Sequence, residues 1–202
     1  KAYLLRAEVL EKQKKYEEAL LDYNKLCIFD AGEEEYFFKS AEMSYKLEDY
    51  KTCLVSIEKA LKQSSSYSEA LELKFNALFA LEQYAEALDV SKKALRYKES
   101  EVNYFNYGRI NEVMDLNAEA ESAYSKAIRK NGNFLEAHIV LADLYRRQSK
   151  LDLAMETVNE AMKISNTYVP AFEVRSAIFA DQHNYPKAIE DISTILYFDP
   201  SN

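Results

Sequence analysis

A small residue returns along this chain at an almost constant interval. Ala19, Cys53, Ala87, Ala120, Ala154 and Ala188 are separated by 34, 34, 33, 34 and 34 residues. Three places before each stands Tyr16, Tyr50, Tyr84, Asn117, Leu151 or Tyr185, so four of the six copies carry tyrosine. Seven places after each small residue comes Leu26, Ala60, Ala94, Ala127, Ala161 or Ile195, and between the two lies Tyr23, Ile57, Ser91, Tyr124, Val158 or Ile192. Steps of four and three residues put all three positions on one stripe of an α-helix. A second series lies twelve places before each small residue: Ala7, Ala41, Phe75, Gly108, Ala142 and Ser176, with Phe75 the exception in size. Small residues let two helices approach closely, and bulky neighbours fill the grooves between them. Self-similarity at this interval marks a repeated supersecondary unit, here two helices of about 12 to 15 residues joined by a short turn. One such hairpin cannot bury both of its faces, so stacking of neighbours is required.

The approximate repeats are 1–33, 34–67, 68–100, 101–133, 134–167 and 168–202. Turns within repeats are expected at Gln13-Lys14-Lys15, Leu47-Glu48-Asp49 and Gln148-Ser149-Lys150. Loops between repeats are expected at Ala31-Gly32, Ser64-Ser65-Ser66 and Asn131-Gly132-Asn133, and the 33-residue step maps to a loop one residue short near 97–100. Pro170 and Pro186 fall where helix starts tolerate proline, and Pro200 is placed to stop the last helix. With only 3 Gly and 3 Pro in 202 residues, the chain lacks the breakers that an all-β fold needs at its many turns.

The pattern resembles the tetratricopeptide repeat family over essentially the whole chain. Leu141-Ala142 and Tyr145 match the family's first helix, Tyr104, Tyr107 and Gly108 match it in part, and Ala120, Tyr124 and Ala127 match its second helix, with Pro200 at the closing proline. The resemblance implies an all-α, right-handed superhelical solenoid of six helix-turn-helix repeats, with the first helix of each repeat lining the concave face. Lys1 enters already inside a helix, and the last helix carries Ile189, Ile192, Ile195 and Leu196 with no capping helix after it. The expectation is therefore a piece of a longer array, with end-to-end self-association as the alternative cover for that face.

Nothing in the sequence assembles into catalytic chemistry, and a non-enzymatic role is expected. His138 and His183 lie in different repeats, no serine has His and Asp partners at a recognisable spacing, and no Gly-rich phosphate loop or paired metal-ligand motif is present. No cofactor or metal is expected. Glu33-Glu34-Glu35 is accounted for by the dipole of the helix it opens. Cys27 and Cys53 read as reduced, small apolar groups, and no segment has the roughly 18 apolar residues that span a bilayer. These features point to the cytoplasm. The formal net charge of -8 argues against nucleic acid, whose phosphates demand a cationic face, and favours basic or mixed-charge protein partners.

A binding role then falls to the concave groove. The resemblance places Glu35, Phe38, Lys39, Glu42 and Tyr45 on it in repeat two, Glu69, Glu72, Asn76 and Phe79 in repeat three, and Phe105, Asn106 and Arg109 in repeat four. Asn76, Phe79, Phe105, Asn106, Arg109, Arg146 and Arg147 are the candidate contacts: amides for a peptide backbone, rings as apolar anchors, guanidinium groups for acidic side chains. The family's carboxylate clamp for chaperone C-termini fits only its two Asn sites, Asn76 and Asn106; Glu72, Glu136 and Val140 stand where it needs cations, so that ligand is rejected. The expected function is a scaffold that binds a partner protein or extended peptide. The competing reading is a co-chaperone module for unfolded client chains.

Overall fold

The computed structural model describes residues 1–198; Asp199 and Pro200, expected to end the last helix, lie outside them. Twelve helices follow one another, and no strand occurs among the described residues: α1 (Ala2–Lys12), α2 (Tyr16–Phe29), α3 (Glu34–Lys46), α4 (Tyr50–Gln63), α5 (Ser68–Ala80), α6 (Tyr84–Tyr97), α7 (Glu101–Val113), α8 (Asn117–Lys130), α9 (Leu135–Arg147), α10 (Leu151–Ile164), α11 (Val169–Asp181) and α12 (Tyr185–Phe198). They pair as six hairpins, and the recurrent Tyr, Asn or Leu is the first residue of every second helix. Hairpins one to three form one compact unit ending at Glu99, and hairpins four to six form another beginning at Ser100. The loop at that boundary, 98–100, has three residues where 30–33, 64–67, 131–134 and 165–168 have four, which accounts for the single 33-residue step.

Every turn inside a hairpin is built the same way, and without glycine. Lys14, Glu48, Glu82, Asp115, Ser149 and His183 all adopt a left-handed backbone with φ between 57° and 60°. In the first, Lys14 N–H donates to the Glu11 carbonyl and Lys15 N–H to the Leu10 carbonyl. The same two bonds recur at the other five turns, satisfying carbonyls that a helix end leaves open. Side-chain identity at these positions therefore matters less than the backbone closure, and ordinary residues tolerate a conformation that glycine usually fills.

The recurrent small residues are where helices meet. Ala19, Cys53, Ala87, Ala120 and Ala154 are fully buried and Ala188 is 5% exposed. Burial pushes the Cys53 thiol up to about 12 and the Cys27 thiol up to about 11, so both are held as neutral, apolar groups. The bulky position four residues further on is equally buried at Tyr23, Ile57, Ser91, Tyr124 and Val158, whereas Ile192 on α12 is 45% exposed because no further helix packs over it among the described residues. Sixteen residues separate this position from the small series on the first helix, and the two compensate in size: Ala7 with Tyr23, Ala41 with Ile57, Gly108 with Tyr124, Ala142 with Val158. The register of Phe75 pairs it with Ser91, so the exception to the small series is a swap of volume between the two helices.

Gly108 is the tightest of these contacts. A Cβ there would lie 2.4 Å from Tyr124 Cε1 and 2.6 Å from Cδ1. The Tyr124 ring cannot retreat, because it is fully buried and its hydroxyl donates to Glu112 at 2.5 Å. Gly108→Ala gains about 1 kcal/mol of helix propensity but forces an overpacked core that costs about 1–3 kcal/mol. A net loss of up to about 2 kcal/mol is expected in urea unfolding. Adding Tyr124→Val, which copies the Ala142–Val158 combination, should relieve the clash, so the double variant is less destabilised than the two single changes added together.

Hairpins one and six share a feature that the inner four lack. Arg6 donates from Nε and Nη2 to Asp22 at 2.6 and 2.7 Å, and Arg175 does the same to Asp191 at 2.8 and 2.6 Å. Both pairs link the two helices of a hairpin over a separation of 16 residues. Inner hairpins hold Ser40 with Ser56, Lys74 with Val90, Tyr107 with Ala123 and Leu141 with Thr157 at these positions. The Arg6 hydrogen bonds outweigh burial and hold the Asp22 carboxyl below its ordinary 3.8. A depressed folded-state value means the stabilisation is present above the unfolded value and disappears as pH falls through the folded one. Urea midpoints measured from about pH 6 down to about pH 2 should therefore fall for the wild type, and Asp22→Asn should start lower at neutral pH and fall less steeply.

Candidate functional site

In both units, neighbouring first helices touch: α3 meets α5, and α9 meets α11. The side chains they present form the surface that the sequence singled out, and the two units present different chemistry.

In the first unit, Phe38 and Glu42 of α3 and Glu69, Glu72, Leu73 and Asn76 of α5 line an open cleft of about 240 Å³. The period places these side chains together: Glu42 and Asn76 are 34 residues apart, as are Phe38 and Glu72. Phe38 packs against Tyr67 with ring centroids 5.0 Å apart and the rings tilted by 48°. Burial pushes the Tyr67 phenol up to about 12, reinforced by the negative charges of Glu69, Glu35, Glu42 and Glu34. Burial, followed by repulsion from Glu69, also raises the Glu72 carboxyl above its usual range. Lys39 is paired with the cleft residue Glu42 at 2.8 Å and lies 3.7 Å from Glu11. Leu73 and Tyr67 were not singled out by the sequence, although Leu73 follows Lys39 at the same 34-residue interval.

Asn76, a candidate contact, lies in this cleft. Phe79 lies beside the hairpin's own rings, 5.7 Å from Phe75 and 5.7 Å from Tyr84, and is half-buried. The remaining candidates belong to the second unit. Phe105 packs between Tyr124 at 5.7 Å and Phe134 at 5.0 Å, with the Arg109 guanidinium 6.0 Å from its ring centroid. Asn106 is only 5% exposed, which leaves its amide little access to a peptide backbone.

Arg146 and Arg147 are held inside the unit. Arg146 pairs with Asp143 at 2.9 Å and Asp181 at 3.0 Å; Arg147 pairs with Asp143 at 3.0 Å and with Glu112. The Glu112–Arg147 and Arg146–Asp181 links each join successive first helices over 35 residues, one period plus one. Glu11–Lys46 in the first unit, at 3.0 Å, is the same link. Moving one period along within each unit therefore gives Glu–Lys and Tyr45–Ala80 in the first, and Glu–Arg and Arg–Asp in the second, the last with its charges exchanged. These arginines fasten hairpins together, and an acidic partner would have to displace an internal carboxylate to reach them.

His138 is buried, with Nε2 2.9 Å from the Gly132 carbonyl, and His183 sits in the left-handed turn beside Tyr185. Among the described residues, no three His, Cys, Asp or Glu side chains are grouped to hold a metal ion, and no helix is long and apolar enough to cross a membrane.

The tetratricopeptide repeat family's sequence profile matches residues 115–168, which span the second helix of hairpin four and all of hairpin five. No curated protein sequence matches significantly. Among solved structures, PilW, described as a widely conserved type IV pilus biogenesis factor, superposes with a TM-score of 0.86 at 16% identity, covering 100% of this chain and 94% of that one. PilF of Pseudomonas aeruginosa gives 0.82 at 17% identity, covering 100% and 92%. YrrB, described as a tetratricopeptide-repeat protein with an unusual peptide-binding site, gives 0.66 at 21% identity, covering 89% and 93%. At these identities the likeness shows the fold. Residues 115–168 therefore match the tetratricopeptide repeat family, and the other hairpins repeat the same helical unit in register.

Proposed function

We propose that this protein is a protein-interaction scaffold that holds an extended segment of a partner along the faces of its first helices. The observation that carries this reading is the open cleft between α3 and α5, where Phe38 and Leu73 offer apolar anchors beside the polar Asn76, Glu69 and Glu72. Recognition of an extended chain needs this mixture: pockets for alternate side chains and polar groups to fix the backbone. The peptide-binding site of YrrB, a protein of the same fold, is consistent with such a use.

A photo-crosslinking amino acid placed at Phe38 or Leu73 should capture a partner protein in extracts of the source cells. The same group at Val55 on α4 or Ser122 on α8, where Val55 is half-exposed and Ser122 exposed on second helices, should not. Capture confined to the second-helix positions would overturn the assignment of the face.

A further inference from the structure

We propose that the cleft between α3 and α5 receives a basic segment of the partner, with an arginine or lysine side chain against Glu69 and Glu72 and an apolar neighbour against Phe38 and Leu73. This rests on the scaffold reading and adds the partner's chemistry to it. The cleft is a shaped depression with an aromatic wall, since Phe38 lines it and is backed by the tilted Tyr67 ring. The charged side chains that line it are all glutamates. Glu69 and Glu72 have neither a hydrogen bond nor an ion pair within the protein among the described residues, in contrast to the fully matched Arg146, Arg147, Asp143 and Asp181 of the second unit. The nearest cation on α3, Lys39, is already engaged by Glu42 and Glu11.

The cost of holding Glu72 half-buried beside Glu69 shows in its raised proton affinity. An incoming cation removes that repulsion and satisfies both carboxylates with charge-assisted bonds. A metal ion is a poorer fit, because among the described residues no three carboxylates are grouped as a ligand set. A nucleic acid would meet repulsion from the same groups. A segment that alternates cationic and apolar side chains suits the geometry, because the aromatic wall and the carboxylates lie side by side in one cleft. Arginine matches it best, since its planar fork pairs with carboxylates and lies flat on aromatic rings.

Fluorescence anisotropy on the whole chain tests this with two labelled probes: an alternating arginine–leucine peptide and its glutamate–leucine counterpart. The wild type should bind the first and not the second, with affinity falling as salt rises from about 50 to about 500 mM. Glu69→Gln with Glu72→Gln should weaken the arginine–leucine peptide by about tenfold or more. Glu69→Lys with Glu72→Lys should reverse the preference between the two peptides. Neither residue holds an internal partner and the Gln variant removes their repulsion, so it should unfold no earlier than the wild type, which makes any loss one of recognition. Equal binding of both peptides, an unchanged affinity in the Gln variant, or no binding of either would overturn the inference. If photo-crosslinks at Phe38 persist in those cases, the scaffold assignment stands and only the charge of its ligand falls.

Discussion

Ala154→Glu should lower the unfolding free energy by about 3–5 kcal/mol, the cost of forcing an unpaired charge into a close helix contact. Ala154 is fully buried on α10, in a cluster with Ile139, Ala142, Val158, Ala161, Ala171 and Ile178 that ties hairpin five to α11. The space there is that of a methyl group, so a glutamate must push the helices apart or take its carboxylate into apolar surroundings. The neighbouring position provides the control. Leu153 is 44% exposed on the same helix, and Leu153→Glu should change stability by no more than about 0.5 kcal/mol. Urea unfolding followed by circular dichroism compares the two. Similar midpoints would break the register that places Ala154, Cys53 and their counterparts at helix contacts.

That register was legible because packing here is periodic. A single interval locates each helix contact, each turn and the shortened loop at 98–100, since the same close approach must be solved six times. What escaped the sequence is pairing between positions that no single helix pattern links. Arg6 meets Asp22, and Arg175 meets Asp191, across a hairpin; Glu112 meets Arg147, and Arg146 meets Asp181, from one hairpin to the next. Oppositely charged residues one period plus one apart were visible as a pattern and could have been sought. Without it, Arg146 and Arg147 read as groups awaiting an acidic ligand, whereas their first role is to join hairpins. The left-handed turns escaped for a different reason. Their residues are Lys, Glu, Asp, Ser and His, so the backbone closure leaves no glycine to mark it. The acidic cleft was half legible: Phe38, Glu42, Glu69, Glu72 and Asn76 were assigned to one face, but the burial of Glu72 and the packing of Phe38 against Tyr67 emerge only when α3 and α5 are side by side.

Arg175→Ala should cost about 2–4 kcal/mol, because it strands a buried carboxylate. Asp191 is 3% exposed, and both of its oxygens accept from Arg175. The guanidinium also lies 5.5 Å from the Phe172 ring centroid and 5.9 Å from that of Phe179, so its removal takes packing with it. The side chain of Arg175 keeps 24% of its exposure, so water entering the gap offsets part of the penalty, and the figure sits below that of a fully enclosed pair. The double change Arg175→Met with Asp191→Leu separates the two sources of loss. It removes both charges and refills the volume, so it should recover most of the stability, in keeping with the Leu141 and Thr157 that hairpin five holds in the same register. Asp191→Ala alone should cost less than Arg175→Ala, because the arginine left behind can reach solvent while the aspartate cannot. Equal losses for the two single variants would mean that the pair acts through contact area, and the burial of Asp191 would then carry no penalty of its own.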